Sequence, residues 1–137
     1  KVCALSHGGW RGTAGDIAGK TVSLMVERVH SRREDILGAI GPAIGLMDFE
    51  VGKEVIDEMR PLFSREEWPS LFREKGKGKY LFGLAEANHY LMRKAGLLEE
   101  HIEDCHISTW TDNDFFYSYR KEKGRTGRHM AVLMMEP

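Results

Sequence analysis

The stretch Val2-Cys3-Ala4-Leu5-Ser6-His7-Gly8-Gly9-Trp10-Arg11-Gly12 decides the fold class of this chain. Its first four residues are apolar and predict a short buried strand, and the glycines that follow predict a tight turn. Beyond the turn, apolar side chains from Ala14 to Val29 recur at intervals of three and four residues. That spacing is typical of an amphipathic helix, and Thr13 with Asp16 resembles a capping box at its start. The stretch therefore predicts a strand, a glycine turn and a helix in succession.

The rest of the chain continues this mixture of strands and helices. The predicted elements are a strand at residues 36–40, helices at 51–62 and 84–95 around a charged surface excursion at 65–79, and strands at 102–108, 115–119 and 130–134. Because Gly41-Pro42 halts the first of these, residues 2–40 predict a right-handed parallel crossover. Gly96 is well placed to cap the last helix, and the basic turn 121–127 joins the last two strands. We expect one mixed α/β (α+β) domain over residues 1–137, with an antiparallel C-terminal third.

Composition restricts the class of protein. Hydrophobic residues make up 42% of the 137 residues and charged residues 30%, and the formal net charge is -1. These values are typical of a globular domain and argue against disorder and against binding nucleic acid through an overall positive field. No apolar run approaches the roughly 18 residues of a membrane-spanning helix, so we expect a cytoplasmic protein. Two cysteines, Cys3 and Cys105, are too few for a disulfide framework and are expected as reduced thiols. The chain opens at Lys1 in a strand-like segment, so we expect an N-terminal part of the same domain to precede it.

The glycine turn at residues 6–12 is the densest candidate site. Glycines let the backbone approach a ligand closely, and the start of a helix offers free N–H groups to an anion. Arg11 adds a planar cationic fork that suits phosphate, and His7 is a candidate metal ligand or general base. The alternative is a purely structural turn with a packed Trp10. The six histidines include no His-x-His pair, and no local cluster completes a zinc or copper site.

Two other segments have a chemical interpretation. Residues 14–21 match the loose pattern of a nucleoside-triphosphate loop ending in Gly-Lys-Thr, with Lys20 as its lysine. The position within a helical stripe argues against triphosphate hydrolysis, because a phosphate loop directly follows a strand. Residues 115–121 and 124–128 interleave aromatic and cationic side chains, which suits stacking on a base and binding a phosphate. The alternative there is an edge hairpin with a solvated basic turn.

Three groups of motifs together resemble the family known as polyphenol oxidase or laccase-domain proteins, whose members are now described as purine nucleoside phosphorylases. The motifs are Ser6-His7-Gly8-Gly9-Trp10-Arg11-Gly12, Ile40-Gly41-Pro42-Ala43-Ile44-Gly45 with Phe49-Glu50-Val51-Gly52, and Phe116-Tyr117-Ser118-Tyr119-Arg120 with Thr126-Gly127-Arg128. Their order and spacing match over all 137 residues, and they cover the C-terminal half of that family's domain. Gly8, Gly83 and His106 depart from the residues usual there, which are alanine, aspartate and threonine.

The resemblance implies a layered α/β sandwich of mixed sheets flanked by helices, and a zinc-assisted enzyme. The implied activities are phosphorolysis of adenosine, inosine, guanosine and methylthioadenosine, and deamination of adenosine. The family's zinc-binding histidine falls on His7, which is thereby the catalytic and metal residue, while a second histidine and a cysteine belong to upstream motifs outside this chain. The copper chemistry in the family's older label finds no support in these residues.

Residue chemistry supplies the remaining site candidates. Arg11, Arg120 and Arg128 are candidates for binding phosphate, and Trp10, Phe116 and Tyr119 are candidates for contacting the purine or ribose. The expected partners are a purine nucleoside, phosphate and the N-terminal part of the same domain, with no membrane and no nucleic acid. The competing class of function is a noncatalytic remnant, or a module that binds purines or RNA without zinc.

Overall fold

A computed structural model describes residues 2–135 and confirms the mixed α/β class. Its helices are α1 (Trp10–Ala14), α2 (Ile17–Val29), α3 (Lys53–Met59), α4 (Trp68–Leu71) and α5 (Leu84–Lys94). Its strands are β1 (Gly38–Ile40), β2 (Glu50–Gly52), β3 (Phe72–Gly76), β4 (Lys79–Phe82) and β5 (Ile102–Asp104). Short 3-10 turns lie at Arg33–Asp35, Arg60–Leu62 and Glu99–His101. No helix within residues 2–135 has the length and apolar character needed to cross a membrane.

Two small sheets organise these elements. Strands β1 and β5 are parallel neighbours, with Gly38 opposite Ile102 and Ile40 opposite Asp104. The second sheet is antiparallel in the order β2-β4-β3. Its β3–β4 turn carries positive φ at Gly76, Lys77 and Gly78, so two glycines relieve the strain of that turn. The antiparallel pairing that we expected in the C-terminal third lies instead in the middle of the chain.

The core forms between this antiparallel sheet and the helices. The main cluster brings together Phe49, Val51, Val55, Ile56, Met59, Phe63, Leu71, Phe82, Leu84, Ala87, Leu91 and Ala18. Phe82 is its centre, fully buried and stacked on Phe72 with ring centroids 5.2 Å apart. A smaller cluster of Val22, Ile36, Leu97 and Ile102 packs α2 against the parallel pair. The helix α5 contributes Leu84, Ala87 and Leu91 to the main cluster and contacts β1 and β5, so it packs against both sheets.

Three predicted strands are absent from residues 2–135. Residues 2–5, 115–119 and 130–134 are not strands, and no hydrogen-bonded ladder joins them to a neighbour within the described chain. An extended segment becomes a strand only when its N–H and C=O groups pair with an adjacent strand. Without such a neighbour, apolar side chains predicted to be buried stay exposed, including Leu5 at 61% and Met130 at 83%. The parallel crossover predicted over residues 2–40 therefore lacks its first strand, and β1 pairs with β5 instead.

Three local predictions also need correction. The second helix begins at Lys53, because Val51 pairs with Tyr80 in the antiparallel sheet. The predicted excursion at 65–79 contains α4 and β3. Asp16 is the N-cap of α2 and accepts a hydrogen bond from the Gly19 amide at 3.0 Å, so the cap consists of Asp16 alone. The third helix and its positive-φ glycine at position 96 are confirmed.

Candidate functional site

The loop that carries His7 is compact around two glycines. A Cβ added at Gly9 would lie 2.9 Å from His7 Nε2, so the imidazole rests in the space that this glycine leaves open. A Cβ at Gly12 would lie 2.9 Å from the His7 carbonyl oxygen, which is a close backbone approach. His7 is exposed, and no group within residues 2–135 forms a hydrogen bond with its imidazole. The structure therefore places the His7 imidazole, without a hydrogen-bond partner in residues 2–135, on the surface of a tightly packed turn.

Hydrogen bonds of the buried Thr13 and Asn88 side chains hold this loop. The Thr13 side chain is fully buried, and its Oγ1 lies 3.1 Å from both the Gly8 and the Gly9 carbonyl oxygens, to which it donates. Thr13 Oγ1 also accepts a hydrogen bond of 2.9 Å from Asn88 Nδ2. The second Asn88 amide hydrogen goes to the Leu84 carbonyl at 2.8 Å, so both donors of that side chain are used. The loop is thereby attached to α5.

Trp10 and Arg11 lie beside His7 with different environments. Trp10 is half-buried and packs against the main core cluster. Arg11 is exposed, and its guanidinium lies over the Trp10 ring at 4.4 Å from the centroid. Within residues 2–135 this guanidinium forms no hydrogen bond and no ion pair. A cation held by an aromatic face, with all its donors free, is available to an anionic ligand.

The other two predicted arginines are already bound to the protein. Arg120 donates to the Glu50 carbonyl at 2.8 Å and lies over the Phe49 ring at 5.2 Å. Arg128 donates to the Gly127 carbonyl at 2.9 Å and lies over the Tyr119 ring at 5.8 Å. These contacts hold both guanidinium groups against their own surroundings.

The segment from Asn113 to His129, called the C-terminal loop below, is organised by one carboxylate rather than by strand pairing. Glu122 accepts hydrogen bonds from the Ser118 amide at 2.7 Å, from Thr126 Oγ1 and from Asn113 Nδ2. The hydroxyl of Thr126, together with these amides, lowers the pKa of the Glu122 carboxyl. Phe116 lies edge-on to His129 with ring centroids 5.9 Å apart. The loop is therefore a series of turns stabilised by hydrogen bonds to the Glu122 carboxylate.

The predicted site residues fall into two separate groups. His7, Trp10 and Arg11 form one group, and Phe116, Tyr119 and Arg128 lie on the C-terminal loop. Within residues 2–135, no hydrogen bond, ion pair or ring contact joins these groups, and Arg120 is anchored beside the antiparallel sheet. Their roles at one site remain predictions.

Metal-binding side chains do not cluster in the described part of the chain. No group of three or more His, Cys, Asp or Glu side chains in residues 2–135 is arranged to bind a metal ion. His7 has a free imidazole nitrogen, which is a ligand type that zinc accepts. Cys3 and Cys105 are both free and exposed. The chain thus supplies one suitable donor, and any zinc site that includes it needs ligands from other polypeptide.

The Gly-Lys-Thr pattern at residues 14–21 does not form a phosphate loop. Gly19, Lys20 and Thr21 lie inside α2, and the Gly19 amide donates its hydrogen bond to the Asp16 carboxylate. A phosphate at this position would meet that carboxylate. The position of the pattern within a helix is as expected, and the argument against triphosphate hydrolysis stays a prediction.

A small cleft lies elsewhere, at the carboxyl ends of the parallel strands β1 and β5. Its volume is about 180 Å³, and its lining includes Gly45, Glu86, His106 and Ser108. Ser108 Oγ accepts from the Gly45 amide at 3.2 Å, which closes one wall. Ligands of α/β proteins often bind at this end of a sheet, but none of the predicted site residues lines this cleft.

Comparison with known proteins identifies the family. The profile of the family described as multi-copper polyphenol oxidoreductase laccase matches residues 1–136. The chain belongs to this laccase family. Relatives in it include the purine nucleoside phosphorylase YlmD of Geobacillus stearothermophilus, 41% identical over 129 residues, and that of Bacillus subtilis, 30% identical over 132 residues. A purine nucleoside phosphorylase of Deinococcus radiodurans is 39% identical over 132 residues.

Solved structures of the laccase family agree with the fold described here. The crystal structure of YlmD from Geobacillus stearothermophilus superposes with a TM-score of 0.84 at 41% identity, covering 89% of this chain and 45% of that one. The YfiH protein of Bacillus licheniformis gives the same TM-score at 36% identity and the same coverage. The three relatives matched by sequence are covered to 47% or 48% of their length by 94% or 96% of this chain. The chain therefore spans about half the length of these laccase-family proteins.

Sequence reasoning missed Thr13 and Asn88, which hold the glycine turn of this laccase-family chain by hydrogen bonds. The available signal was the position of Asn88 in α5, four residues after Leu84 and three before Leu91, which places an amide on the apolar face of the helix. A polar residue in such a stripe is buried at a cost unless it finds partners. Its partners turned out to be in the glycine turn.

Proposed function

We propose that this chain is the C-terminal half of a purine nucleoside phosphorylase in which His7 binds zinc and Arg11 binds phosphate. The observation that carries the proposal is the pair formed by the free His7 imidazole and the free Arg11 guanidinium, four residues apart on one anchored turn. Relatives that bear the name purine nucleoside phosphorylase align with 94% and 96% of the chain, which supports the proposed activity.

The proposed reaction transfers a ribosyl group from a purine to phosphate. An oxygen of phosphate forms a bond to C1′ of the ribose while the bond from C1′ to the purine nitrogen breaks. The purine leaves with the electron pair of that bond and takes up a proton, and ribose 1-phosphate is the other product. Arg11 would bind and orient the phosphate dianion through its fork of N–H donors. Trp10, against the core, would keep that guanidinium in place.

Zinc is the proposed cofactor, with His7 as the one ligand that this chain contributes. When bound, zinc would supply Lewis acidity that organises the cleft for phosphorolysis and activates water for deamination. We include adenosine deamination and phosphorolysis of methylthioadenosine in the proposal, alongside adenosine, inosine and guanosine. Phe116, Tyr119, Arg120 and Arg128 are proposed to contact nucleoside or phosphate once the C-terminal loop faces the rest of the domain.

The N-terminal part of the same domain is the proposed partner of the exposed terminal segments. The Cys3 thiol lies 3.8 Å from the Leu133 carbonyl oxygen, so residues 2–5 and 130–135 are neighbours. Neither segment belongs to a helix or a strand, and both expose apolar side chains such as Leu5 and Val132. Strands from the preceding half would pair with them and cover these side chains, and would bring further zinc ligands toward His7.

The test compares three variants of the protein at its natural length. Incubation with inosine or adenosine and phosphate should yield free base and ribose 1-phosphate, measured by chromatography. Arg11→Ala should raise the KM for phosphate by roughly 10- to 100-fold, which corresponds to the ~1.5–3 kcal/mol of a hydrogen bond to a charged group. Arg32→Ala is the matched control, because Arg32 is a surface arginine whose ion-pair partners within residues 2–135 are Glu34 and Asp35.

His7→Ala should remove both bound zinc, measured by metal analysis per chain, and phosphorolysis. Normal zinc content and turnover in that variant would refute the assignment of His7. A wild-type protein that retains neither zinc nor activity but binds purines would support the noncatalytic alternative instead.

A further inference from the structure

The charge of the chain is distributed unevenly along its surface. The β3–β4 hairpin at 72–82 and residues 118–128 of the C-terminal loop together hold nine of the 20 Lys and Arg residues, and two of the 21 Asp and Glu residues. The remaining residues hold eleven Lys and Arg against 19 Asp and Glu. All nine cations of the two segments are exposed, and we call them the basic surface. A net charge of -1 for the whole chain therefore hides a strongly positive region.

The two segments meet at Glu50 of β2. The Glu50 carboxylate pairs with Lys75 Nζ at 2.8 Å and lies 3.9 Å from Lys79 Nζ. The Glu50 backbone carbonyl accepts the hydrogen bond of 2.8 Å from Arg120, which brings the C-terminal loop against the sheet that carries the hairpin. One carboxylate therefore faces three cations and offsets the charge of one.

The tip of the hairpin is open to a ligand. Lys77 lies there between two glycines, and a Cβ added at Gly76 or at Gly78 would meet no atom within 4 Å. Within the described chain Lys77 has no hydrogen-bond or ion-pair partner. The Glu122 carboxylate accepts hydrogen bonds inside the C-terminal loop, from the Ser118 amide and from Thr126 Oγ1. Most of the positive charge is therefore available to an external anion.

Exposed aromatic rings accompany these cations on the C-terminal loop. Phe115 is 87% exposed and Tyr117 is 51% exposed. The Tyr117 ring packs against the backbone of Gly127, where an added Cβ would lie 2.5 Å from Tyr117 Cζ. Exposed rings stack on the faces of unpaired nucleobases, and cations bind the phosphates between those bases. An acidic protein would match the charge of the surface but would leave these rings without a role.

We propose that the basic surface binds single-stranded nucleic acid, with the hairpin lysines on phosphates and with Phe115 and Tyr117 stacked on bases. A duplex keeps its bases stacked on one another, so a single strand is the form that offers base faces to the two rings. The expectation that the chain binds no nucleic acid rested on its overall charge, whereas this positive region is local. The proposal goes beyond phosphorolysis and is independent of it, since it involves neither His7 nor Arg11.

The experiment measures binding by fluorescence anisotropy, on the protein at its natural length. The probes are a labelled oligouridine of ~16 nucleotides, the oligothymidine of the same length and a DNA duplex of that length. Each affinity is measured over a series of salt concentrations, and a urea unfolding curve shows that each variant is folded.

Three variants separate the two kinds of contact. One replaces Lys75, Lys77 and Lys79 by alanine and removes charge from the hairpin. Phe115→Ala removes an exposed ring and no charge. The matched control replaces three exposed arginines outside both segments by alanine, namely Arg28, Arg32 and Arg93.

At least one single-stranded probe should bind more tightly than the duplex. The lysine variant should bind it roughly 10- to 100-fold more weakly at ~0.1 M salt, with the slope of log affinity against log salt reduced by about 2, because each phosphate contact on a single strand contributes about 0.7. Phe115→Ala should weaken binding by roughly 5- to 100-fold and leave the slope unchanged. The arginine control should bind as the wild type does, and the lysine variant should retain wild-type phosphorolysis.

The proposal is overturned if neither single strand binds, or if the arginine control loses as much affinity as the lysine variant. It is also overturned if polyglutamate binds as tightly as oligouridine and Phe115→Ala has no effect, a result that would indicate an acidic protein as the partner. Should the lysine variant fail to fold, Lys77→Glu decides the question, since that side chain has no partner to lose among residues 2–135. Unchanged affinity and slope in Lys77→Glu would then refute the proposal.

Discussion

Replacing Gly12 by alanine should destabilise the turn that carries His7. Gly12 lies inside the short helix α1, where alanine would ordinarily be favoured over glycine by about 0.5–1 kcal/mol. Here the added Cβ would lie 2.9 Å from the His7 carbonyl oxygen and 3.5 Å from Ile17 Cγ2. The first contact is with backbone, which cannot rotate away as a side chain would.

The two effects have opposite signs, and their magnitudes decide the outcome. Overpacking of this kind costs roughly 1–3 kcal/mol, more than the helix propensity that alanine restores. The net loss should be about 1–2 kcal/mol in the free energy of unfolding. The relaxation must move the His7 carbonyl away from α1, so His7 should also lose its orientation and the protein should retain less zinc.

Gly15→Ala is the matched control. Its Cβ would lie 3.4 Å from the Arg11 carbonyl and 3.5 Å from the Gly12 carbonyl, distances of ordinary contact, and its φ of -82° suits any residue. Urea unfolding of both variants, with metal analysis of the purified proteins, makes the comparison. Equal stability and equal zinc content for the two alanine variants would show that the close approach at Gly12 has no energetic importance.

Two further predictions concern the core and the C-terminal loop. Phe82→Ala removes a fully buried ring stacked on Phe72 and should cost roughly 3–5 kcal/mol in urea unfolding; a loss below 1 kcal/mol would contradict the packing described. The Glu122 carboxyl has a lowered pKa in the folded protein, so its stabilising effect is complete above the ordinary glutamate pKa of about 4.3 and is lost as pH falls through the folded value. Amide hydrogen exchange at Ser118 should therefore accelerate on acidification below pH ~4 relative to the intrinsic rate, and Glu122→Gln should remove that pH dependence. An unchanged pH profile in Glu122→Gln would assign the effect to another carboxylate.

Local periodicity predicted the helices α2, α3 and α5, which contribute to the main core, but not the strands β2, β3 and β4. The apolar stripe of α5 and the positive-φ glycine behind it follow from spacing and from residue type, and both are found in the structure. The glycine-rich turn was identified from composition, because only closely packed backbone needs so many residues without side chains. What spacing could not supply was the partner of the turn, since Asn88 lies 75 residues beyond Thr13 along the chain.

The candidate site could be predicted only in part from the sequence, because its contacts also join residues that are far apart along the chain. Arg11, Arg120 and Arg128 are equivalent as residue types, and the sequence offers no basis for ranking them. The structure distinguishes them, because two of these guanidinium groups donate to backbone carbonyls and that of Arg11 does not within residues 2–135. Availability of donors is a tertiary property that depends on which carbonyls come within reach.

The missing strands at the two ends of the chain illustrate a limit of a different kind. Their apolar patterns are those of buried strands, yet a strand requires a neighbour, and the pattern does not say where that neighbour is encoded. Covering four of the exposed side chains in residues 2–5 and 130–135 would contribute roughly 6–12 kcal/mol at about 1.5–3 kcal/mol each, part of it offset by the entropy of ordering the segments. That gain is comparable to the net stability of a whole domain. The apolar sequence pattern and the exposed side chains therefore indicate the same surface, formed by residues 2–5 and 130–135. A partner that pairs with both segments would be held by main-chain hydrogen bonds and by apolar burial together, beside the His7 turn that it is proposed to complete.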